Sequence, residues 1–427
     1  MNKVVFTICA KNYLGLAQTL ESSVKKFNSN IKFVIFIADE FNNINLPDNV
    51  LIAKDVLDIH RIQWEQMSFK YDITEFCTSI KPSCFKYIFS NFDTDACIYF
   101  DPDILVFNSL KNIFDNLNNY SIIVTPHITT IETDYHGTLN ERNLLYSGMF
   151  NLGFLALNND ITSKKMLDWW ELRLKDRCYQ NVSESYFTDQ KWIDFLPSFF
   201  PNQLLISDDL GLNVAPWNFY EREIYYDVNN NYVVKSRIEK DNNNSYPLVF
   251  THFSGYRYDL LASGNIHGGN IINLEIPSDV IPLFNYYASE LNNGTILNYI
   301  GLSYSYNYYS NGDPISTINR KLFRRLVTDN QFNTLNPFDI KSEFYTLMYN
   351  HKLISHKMIK NDKINLSNIG KIPKSIYLLN RVLSIFYYLI GARRYFMVVR
   401  LLRLYSKYEN HIFIIDKKYN NDYTFWP

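Results

Sequence analysis

Two aspartates, Asp101 and Asp103, are separated only by Pro102 and directly follow the apolar run Ala96–Phe100. The run is short and rich in strand-forming residues, so it predicts a β-strand that delivers both carboxylates at its carboxyl end. Carboxylates two residues apart can bind one hard divalent cation that also contacts the phosphates of a substrate. We therefore predict that Asp101 and Asp103 bind Mn²⁺ or Mg²⁺ beside a diphosphate.

A histidine follows a second strand-like run late in the chain. His252 comes directly after residues 247–251 (PLVFT), and Gly255 follows three residues later. A neutral imidazole is a good third ligand for the same cation, and glycine lets the backbone approach a phosphate closely. The alternative is that His252 is an ordinary buried core histidine.

Asp189 and Gln190 open the segment FTDQKWIDFL, which is predicted to start a helix. Thr188 or Asp189 could simply cap that helix, because both residue types are favoured at this position. We interpret Asp189 and Gln190 instead as a polar pair that faces the sugar to be transferred.

Other polar and glycine positions suit a nucleotide-sugar site. Glycine permits close approach to a ligand, lysine can offset phosphate charge, and tryptophan can stack on a sugar ring. Tryptophan in a plain core and a solvated lysine beside a helix start are the competing explanations. The residues are Lys81, Asn151, Gly153, Trp217 and Asn218.

The elements that must position these residues alternate between apolar strands and helical segments. Such alternation predicts an α/β fold with a sheet covered by helices on both faces, whose ligands bind beyond the carboxyl ends of the strands. We assign residues 1–270 to this catalytic domain and residues 271–427 to a mainly helical C-terminal region. The predicted strands are 3–9, 32–38, 96–100, 121–125, 151–157 and 247–251, and the predicted helices include 13–26, 81–89 and 164–175.

Charge is unevenly distributed along the chain. The net charge is −1, yet residues 351–427 contain 14 Lys and Arg against 4 Asp and Glu. A basic tail on an acidic core suggests that the tail meets an anionic partner, although we expect no nucleic-acid partner. The five cysteines have no CxxC spacing and are predicted to be reduced thiols, so we expect a cytoplasmic protein.

The most apolar part of the basic tail is residues 376–404, where five arginines interrupt apolar residues at helical spacing. The longest uncharged run, 382–392, is too short to span a bilayer. Helices formed by residues 376–404 can therefore lie peripherally on the inner face of the cell membrane. The alternative is that they pack on the core or on a second subunit of a homo-oligomer.

Four segments in this order resemble one enzyme family. CIYFDPDILVFNSL is similar to the DxD region of GT-A glycosyltransferases, and MFNLGFLALN, TDQKWIDFL and THFSG resemble later motifs of its glycogenin-like and bacterial galactosyltransferase-like retaining members. The resemblance covers roughly residues 1–260. It implies a GT-A fold with a mixed sheet, and a role in the assembly of surface polysaccharides.

The resemblance also implies a reaction. The donor would be a nucleotide-diphosphate sugar, in particular a UDP-sugar. The acceptor would be a glycan or a lipid-linked glycan. His252 would complete the metal site. The segment TICAKNY resembles the first-strand loop that holds the base, which implies contacts from Thr7, Ala10, Asn12 and Tyr13.

The chain departs from the family after THFSG. The family continues to a Lys-Pro-Trp that grips the diphosphate, whereas this chain has Tyr256-Arg257-Tyr258-Asp259. Arg257 is the candidate substitute, because a guanidinium can bind phosphate through two hydrogen bonds. We expect transfer with retention, with Asp189 stabilising a positively charged sugar rather than bonding to it.

Two other functions share some of these features. A haloacid-dehalogenase-type phosphatase also has a DxD after a strand and would use Asp208 and Asp209 as a later metal pair. Such enzymes carry the motif near the N-terminus, whereas here about a hundred residues precede it. A non-catalytic glycan-binding protein would not need Asp101, Asp103, Asp189 and His252 intact.

Overall fold

The computed structural model describes residues 2–41, 46–130, 137, 139, 141–239, 244–266, 276–329, 336–357 and 373–421. The chain forms two compact units, the first comprising Met1–Ile59 with Ile73–Tyr304 and the second His60–Asp72 with Ser305–Pro427. The division differs from the boundary at residue 270 that we predicted. Residues 276–304 pack in the first unit, where the Cβ position of Gly15 would lie only 2.4 Å from the Ile296 Cα.

The first unit is built on a seven-stranded sheet of order β10-β6-β7-β4-β1-β2-β3. Its strands are β1 (Lys3–Cys9), β2 (Lys32–Ile37), β3 (Val50–Ile52), β4 (Ala96–Phe100), β6 (Ile122–Val124), β7 (Phe154–Asn158) and β10 (Leu204–Ile206). Strand β7 is antiparallel to both neighbours, and the other pairs are parallel. The sheet is mixed, as the resemblance implied.

Three smaller sheets complete the strands of this unit. They pair β11 (Arg222–Tyr226), β12 (Tyr232–Ser236) and β13 (Tyr246–Pro247); β5 (Ile104–Val106) and β14 (Phe250–His252); and β8 (Gln180–Asn181) and β9 (Tyr186–Phe187). The predicted strand 247–251 is therefore two strands, and His252 lies within the second. In the antiparallel β5–β14 pair, His252 is opposite Ile104.

Helices cover both faces of the large sheet. Helix α1 (Leu14–Phe27) places Leu14, Ala17, Leu20 and Val24 at helical spacing, and all four are fully buried against the sheet. Burying a leucine side chain of this kind contributes about 1.5–3 kcal/mol. The other helices of the unit are α2 (Ala53–Val56), α4 (Ile73–Ser79), α5 (Lys81–Asn91), α6 (Lys111–Asn116), α7 (Glu141–Ser147), α8 (Ile161–Arg177), α9 (Leu196–Phe199), α10 (Tyr258–Ala262), α11 (Ile281–Asn293) and α12 (Ile296–Tyr299).

The second unit is helical, as predicted for the C-terminal region, but it also takes in α3 (Arg61–Lys70). Its core is aromatic, with Phe69 packed against Phe323 and Phe344. The buried Arg320 fixes the end of α3 by donating hydrogen bonds to backbone carbonyls, among them that of Tyr71 at 2.8 Å. The remaining helices among the described residues of this unit are α13 (Thr317–Thr328), α14 (Glu343–Asn350) and α15 (Pro373–Leu404), with 3₁₀ turns at Ser305–Asn307, Tyr408–Ile414 and Lys417–Asn421.

Candidate active site

Asp101, Asp103 and His252 form a cluster whose ligand atoms all lie within 4.8 Å of one another. The His252 Nε2 lies 3.1 Å from the Asp103 Oδ1 and 3.8 Å from the Asp101 Oδ2. The strand arrangement accounts for this geometry, because the turn after β4 places both carboxylates before β5, and β14 pairs with β5 so that His252 lies beside them. The two carboxylates and the imidazole form a donor set that fits a divalent cation such as Mn²⁺.

Side chains around the cluster fix its ligands. Tyr99 donates a hydrogen bond to the Asp101 carboxylate, and the Tyr258 hydroxyl donates to the Asp103 Oδ2 at 2.6 Å. The His252 Nδ1 lies 3.1 Å from the Asn151 Oδ1. Since an amide oxygen only accepts, Nδ1 carries a proton, and Nε2 faces the carboxylates. Such outer partners orient metal ligands.

The pKa shifts of Asp101, Asp103 and His252 reflect burial and the charges that these three side chains exert on one another. Burial, which Lys81 and His252 only partly offset, raises the pKa of the Asp101 carboxyl. Burial also works to raise the pKa of Asp103, but the charge of His252 and the hydrogen bonds from His252 and Tyr258 outweigh it and lower that pKa. Burial would lower the pKa of His252, yet Asp103 and Asp101 outweigh burial and raise it. The two carboxylates thus favour positive charge at the position of His252.

Asn151 and Gly153 reach the cluster because β7 runs antiparallel to its neighbours. The carboxyl ends of β1, β4 and β6 lie at one edge of the sheet, and the amino end of β7 lies at the same edge. The Asp101 N–H donates to the Gly153 carbonyl at 2.8 Å. Both residues therefore support Asp101 and His252, rather than only contacting a ligand as predicted.

The His252 ring packs so closely on Gly153 that there is no room for a side chain at position 153. A Cβ at this position would lie 2.4 Å from the His252 Cε1 and 2.9 Å from the Asn151 Oδ1. We expect Gly153→Ala to displace the imidazole and weaken Mn²⁺ binding by roughly 10–100-fold, the effect of losing an outer partner of a ligand. The fold should survive, because overpacking of this kind costs about 1–3 kcal/mol. Isothermal titration with Mn²⁺ and thermal unfolding measure the two effects.

The control for Gly153→Ala is Gly301→Ala, where an added Cβ would meet no described atom within 4 Å. It should leave Mn²⁺ affinity unchanged. Equal Mn²⁺ affinity in Gly153→Ala and the unaltered protein would show that His252 does not bind the ion.

Asp189 and Gln190 are both buried, and Asp189 occupies the N-cap position of the segment that follows. Gln190–Phe195 is a 3₁₀ helix, and the Asp189 side chain makes no cap hydrogen bond. The Asp189 Oδ2 instead lies 2.6 Å from the Lys81 Nζ in an ion pair whose side chains are 3% and 1% exposed. Lys81 also donates to the Leu152 carbonyl at 2.8 Å. Lys81 is thus committed to Asp189 and does not point freely at a diphosphate.

The Lys81–Asp189 pair is connected to the cation cluster. The Lys81 Nζ lies 4.2 Å from the centre of the Tyr99 ring, and the Tyr99 hydroxyl contacts Asp101. Gln190 accepts a hydrogen bond from the Leu152 N–H at 2.9 Å, next to Asn151. The predicted metal ligands, catalytic pair and MFNLG segment therefore belong to one continuous site.

Trp217 and Asn218 lie in the site but differ in role. The Trp217 ring is nearly perpendicular to the rings of His252 and His127, with 5.3 Å between ring centres in each case, and its buried Nε1 has no hydrogen-bond partner among the described residues. The Asn218 amide is fully used within the protein, since it donates to the carbonyls of His127 and Asn213 and accepts from Ala215. Asn218 therefore shapes the backbone, contrary to the predicted sugar contact.

The residues predicted to hold the base follow β1. Thr7 lies in β1, and Ala10, Asn12 and Tyr13 belong to the turn into α1. The buried Thr7 Oγ1 and Asn12 Oδ1 have no hydrogen-bond partner among the described residues. Burial raises the pKa of Tyr13 to about 12, with Asp103 the next contributor, so this ring lies in the field of the cluster.

The two predicted phosphate contacts lie just after β14. Gly255 has a φ of 81°, a left-handed conformation that favours glycine. Arg257 is exposed, and its guanidinium pairs with the Asp259 carboxylate at 2.5 Å. The next residue, Tyr258, donates a hydrogen bond to Asp103, so the backbone of Arg257 is close to the metal-ligand cluster.

Sequence reasoning missed His127 and Glu221. His127 follows β6, its Nδ1 lies 2.8 Å from the Gly148 carbonyl, and burial lowers its pKa to about 4, so it is neutral at physiological pH. The buried Glu221 accepts from the backbone N–H groups of Thr129 and Thr130 at 3.0 and 2.8 Å. The strand-end position of His127 was a usable signal, whereas nothing in the sequence links Glu221 to Thr129.

The phosphatase alternative is not supported by this arrangement. Asp208 and Asp209 follow β10 at the edge of the sheet, and β6 and β7 separate β10 from β4. Among the residues that the structure describes, the cluster at Asp101 is the one group of three such ligands. Asp208 and Asp209 therefore do not complete a metal site with Asp101 and Asp103.

Comparison with known proteins gives partial likenesses. No family model matches the chain. The uncharacterized protein YfnF of Bacillus subtilis (strain 168) is 24% identical over 261 residues, which cover 60% of this chain and 82% of that protein. The crystal structure of an active-site mutant of LgtC is 18% identical with a TM-score of 0.40 and covers 69% of this chain and 96% of its own.

Two further glycosyltransferase structures are similar at the same level. Mouse xyloside xylosyltransferase 1 is 9% identical with a TM-score of 0.37, covering 65% of this chain and 100% of its own. GlyE of Streptococcus pneumoniae TIGR4 is 14% identical with a TM-score of 0.34, and the match covers 72% of this chain and 66% of GlyE. The strand order and the aspartates after β4 are in accord with the predicted GT-A-type α/β fold.

Proposed function

We propose that this protein is a metal-dependent glycosyltransferase that moves a sugar from a nucleotide-diphosphate sugar to a glycan or lipid-linked glycan. The observation that carries the proposal is the cluster of Asp101, Asp103 and His252 at the carboxyl edge of the sheet. Mn²⁺ or Mg²⁺ bound by these three residues would neutralise the charge of the departing diphosphate.

Other residues of the chain support a nucleotide sugar as the donor. The buried and unsatisfied Thr7 Oγ1 and Asn12 Oδ1 suit the polar groups of a nucleoside, and the resemblance favours uridine. Arg257 is proposed to bind the diphosphate, because its ion pair with Asp259 is exposed, unlike the buried pair of Lys81. Trp217 offers a ring and an unpartnered N–H donor beside His252, which suits contact with the donor.

The proposed catalytic step places positive charge on the sugar near Asp189. Because the Asp189 carboxylate is buried and paired with Lys81, it suits electrostatic stabilisation better than formation of a bond. Gln190 holds the MFNLG backbone in place through Leu152. The bond that breaks joins the anomeric carbon to the diphosphate, and the bond that forms joins the same carbon to an acceptor hydroxyl, whose proton leaves with the diphosphate.

We expect release of nucleoside diphosphate when the purified protein is incubated with the right donor and Mn²⁺. A panel of nucleotide sugars with an acceptor mixture identifies the donor, and proton NMR of the fresh product identifies the anomer. We expect retention. An inverted anomer would contradict the retaining mechanism but leave the transferase proposal intact. If no nucleotide sugar in the panel releases nucleoside diphosphate with any acceptor, the result would favour a non-catalytic glycan-binding protein.

A further inference from the structure

Helix α15 exposes a large apolar surface. Between residues 376 and 404, fourteen apolar or aromatic side chains are at least 37% exposed, with Tyr388 at 84% and Leu389 at 77%. Every described side chain from 376 to 408 is exposed or half-buried. A surface of this kind on a folded protein marks an interaction site.

The same segment is strongly basic. Residues 373–408 contain seven Lys and Arg and no Asp or Glu. Arg381 lies on one helical stripe with Tyr377, Ser384 and Tyr388, at spacings of three and four residues, and its guanidinium is 5.7 Å from the centre of the Tyr377 ring. Apolar surface beside fixed positive charge and interfacial tyrosines complements the boundary of an anionic lipid layer.

We infer that α15 is a membrane-surface anchor that lies in the plane of an anionic lipid leaflet. By length and composition alone this helix could also cross a bilayer, with a mean hydropathy of 1.4, which the short uncharged run did not lead us to expect. Its geometry opposes crossing. Gly391 has φ 78° and ψ 160°, so the helix bends there, and Arg393 and Arg394 follow immediately.

Neither arm of the bent helix suits the bilayer centre. The first arm, residues 373–390, carries Asn380 and Arg381 near its middle, where a spanning helix would bury them in hydrocarbon. The second arm carries four arginines within residues 393–403. A second copy of this chain fits no better, because a two-fold contact would oppose one basic surface to another.

Flotation of the full-length protein with lipid vesicles tests the inference. We expect the protein to float with vesicles containing anionic phosphatidylglycerol and to remain behind with pure phosphatidylcholine, and raised salt should reduce flotation. No sugar donor is involved, so the result is independent of the proposed transferase reaction.

Two variants separate the charge contribution from the apolar contribution. Arg393→Gln with Arg394→Gln should lower the partition coefficient at least about tenfold, because each basic residue near an anionic surface contributes about 1 kcal/mol. The matched control replaces two exposed lysines of α8, Lys164→Gln with Lys165→Gln, and should bind normally.

The apolar variant is Tyr388→Ser with Leu389→Ser, whose side chains are exposed and so contribute little to the fold. Its matched control is Ile161→Ser with Leu172→Ser, at 86% and 65% exposure on α8. We expect only the α15 variant to lose flotation. Equal losses in the α15 variants and their controls would overturn the inference.

Three other outcomes would also overturn it. Equal binding to neutral vesicles that resists alkaline carbonate would identify a spanning helix. A dimer in analytical ultracentrifugation that Tyr388→Ser with Leu389→Ser dissociates, without vesicle binding, would identify a second copy as the occupant. Absence of both vesicle binding and self-association would leave the surface without a lipid partner.

Discussion

Replacement of Asp103 by alanine should reduce sugar transfer by roughly a thousandfold or more, because the variant loses a carboxylate that binds the cation and orients His252. The fold should remain, since Asp103 is partly exposed and lies outside the apolar core. Diphosphate release at saturating Mn²⁺ measures transfer, and thermal unfolding monitors the fold. Excess chelator should inactivate the unaltered protein to a similar extent.

Asp208→Ala is the matched control for Asp103→Ala. Asp208 is an exposed carboxylate on another strand end and is needed only by the phosphatase alternative. The Asp208→Ala variant should retain the full rate of sugar transfer. Loss of activity in Asp208→Ala, or full activity of Asp103→Ala in chelator, would remove the basis of the proposed site.

The second large effect is expected at the buried Lys81–Asp189 pair. Asp189→Asn leaves Lys81 charged and buried without its partner, so we expect a loss of about 3–5 kcal/mol in the free energy of unfolding. Turnover per folded molecule should also fall by roughly a hundredfold or more, because the carboxylate no longer stabilises positive charge on the sugar. Chemical denaturation and turnover with the identified donor measure the two effects.

A double variant distinguishes catalysis from stability at this pair. Lys81→Met with Asp189→Leu should recover most of the stability, because apolar replacement of a buried pair is often neutral, but it should not recover turnover. Glu409→Gln, which breaks the equally buried Arg324 pair of the second unit, should lose stability without losing turnover per folded molecule. Recovery of turnover in the double variant would make Lys81–Asp189 a purely structural pair.

The elements nearest the cation cluster were predictable because each is local in sequence. The strands Lys3–Cys9 and Ala96–Phe100 have the predicted bounds, since continuous apolar runs of this length are typical of buried strands. The ending of β4 at Phe100 then places Asp101 and Asp103 beyond the sheet. That His252 joins them was indicated by its position after a strand-like run and by the resemblance.

The less predictable features depend on contacts between distant residues. Lys81 and Asp189 are 108 residues apart, and no local pattern pairs them. The direction of β7 is also not readable from its sequence, so the reason that Asn151 and Gly153 meet His252 became clear only from the strand order. Helix α3 is separated by more than 200 residues from Arg320, which anchors it, and this accounts for a unit boundary unlike the predicted one.

The pairing of β5 with β14 has a consequence for synthesis of the chain. All seven strands of the large sheet have been made by Ile206, yet the imidazole of His252 is supplied 46 residues later. A nascent chain that has folded its large sheet on the ribosome would therefore still lack one ligand of the cation. Premature termination before residue 252 would give a product that contains all seven strands of the large sheet but lacks one ligand of the metal.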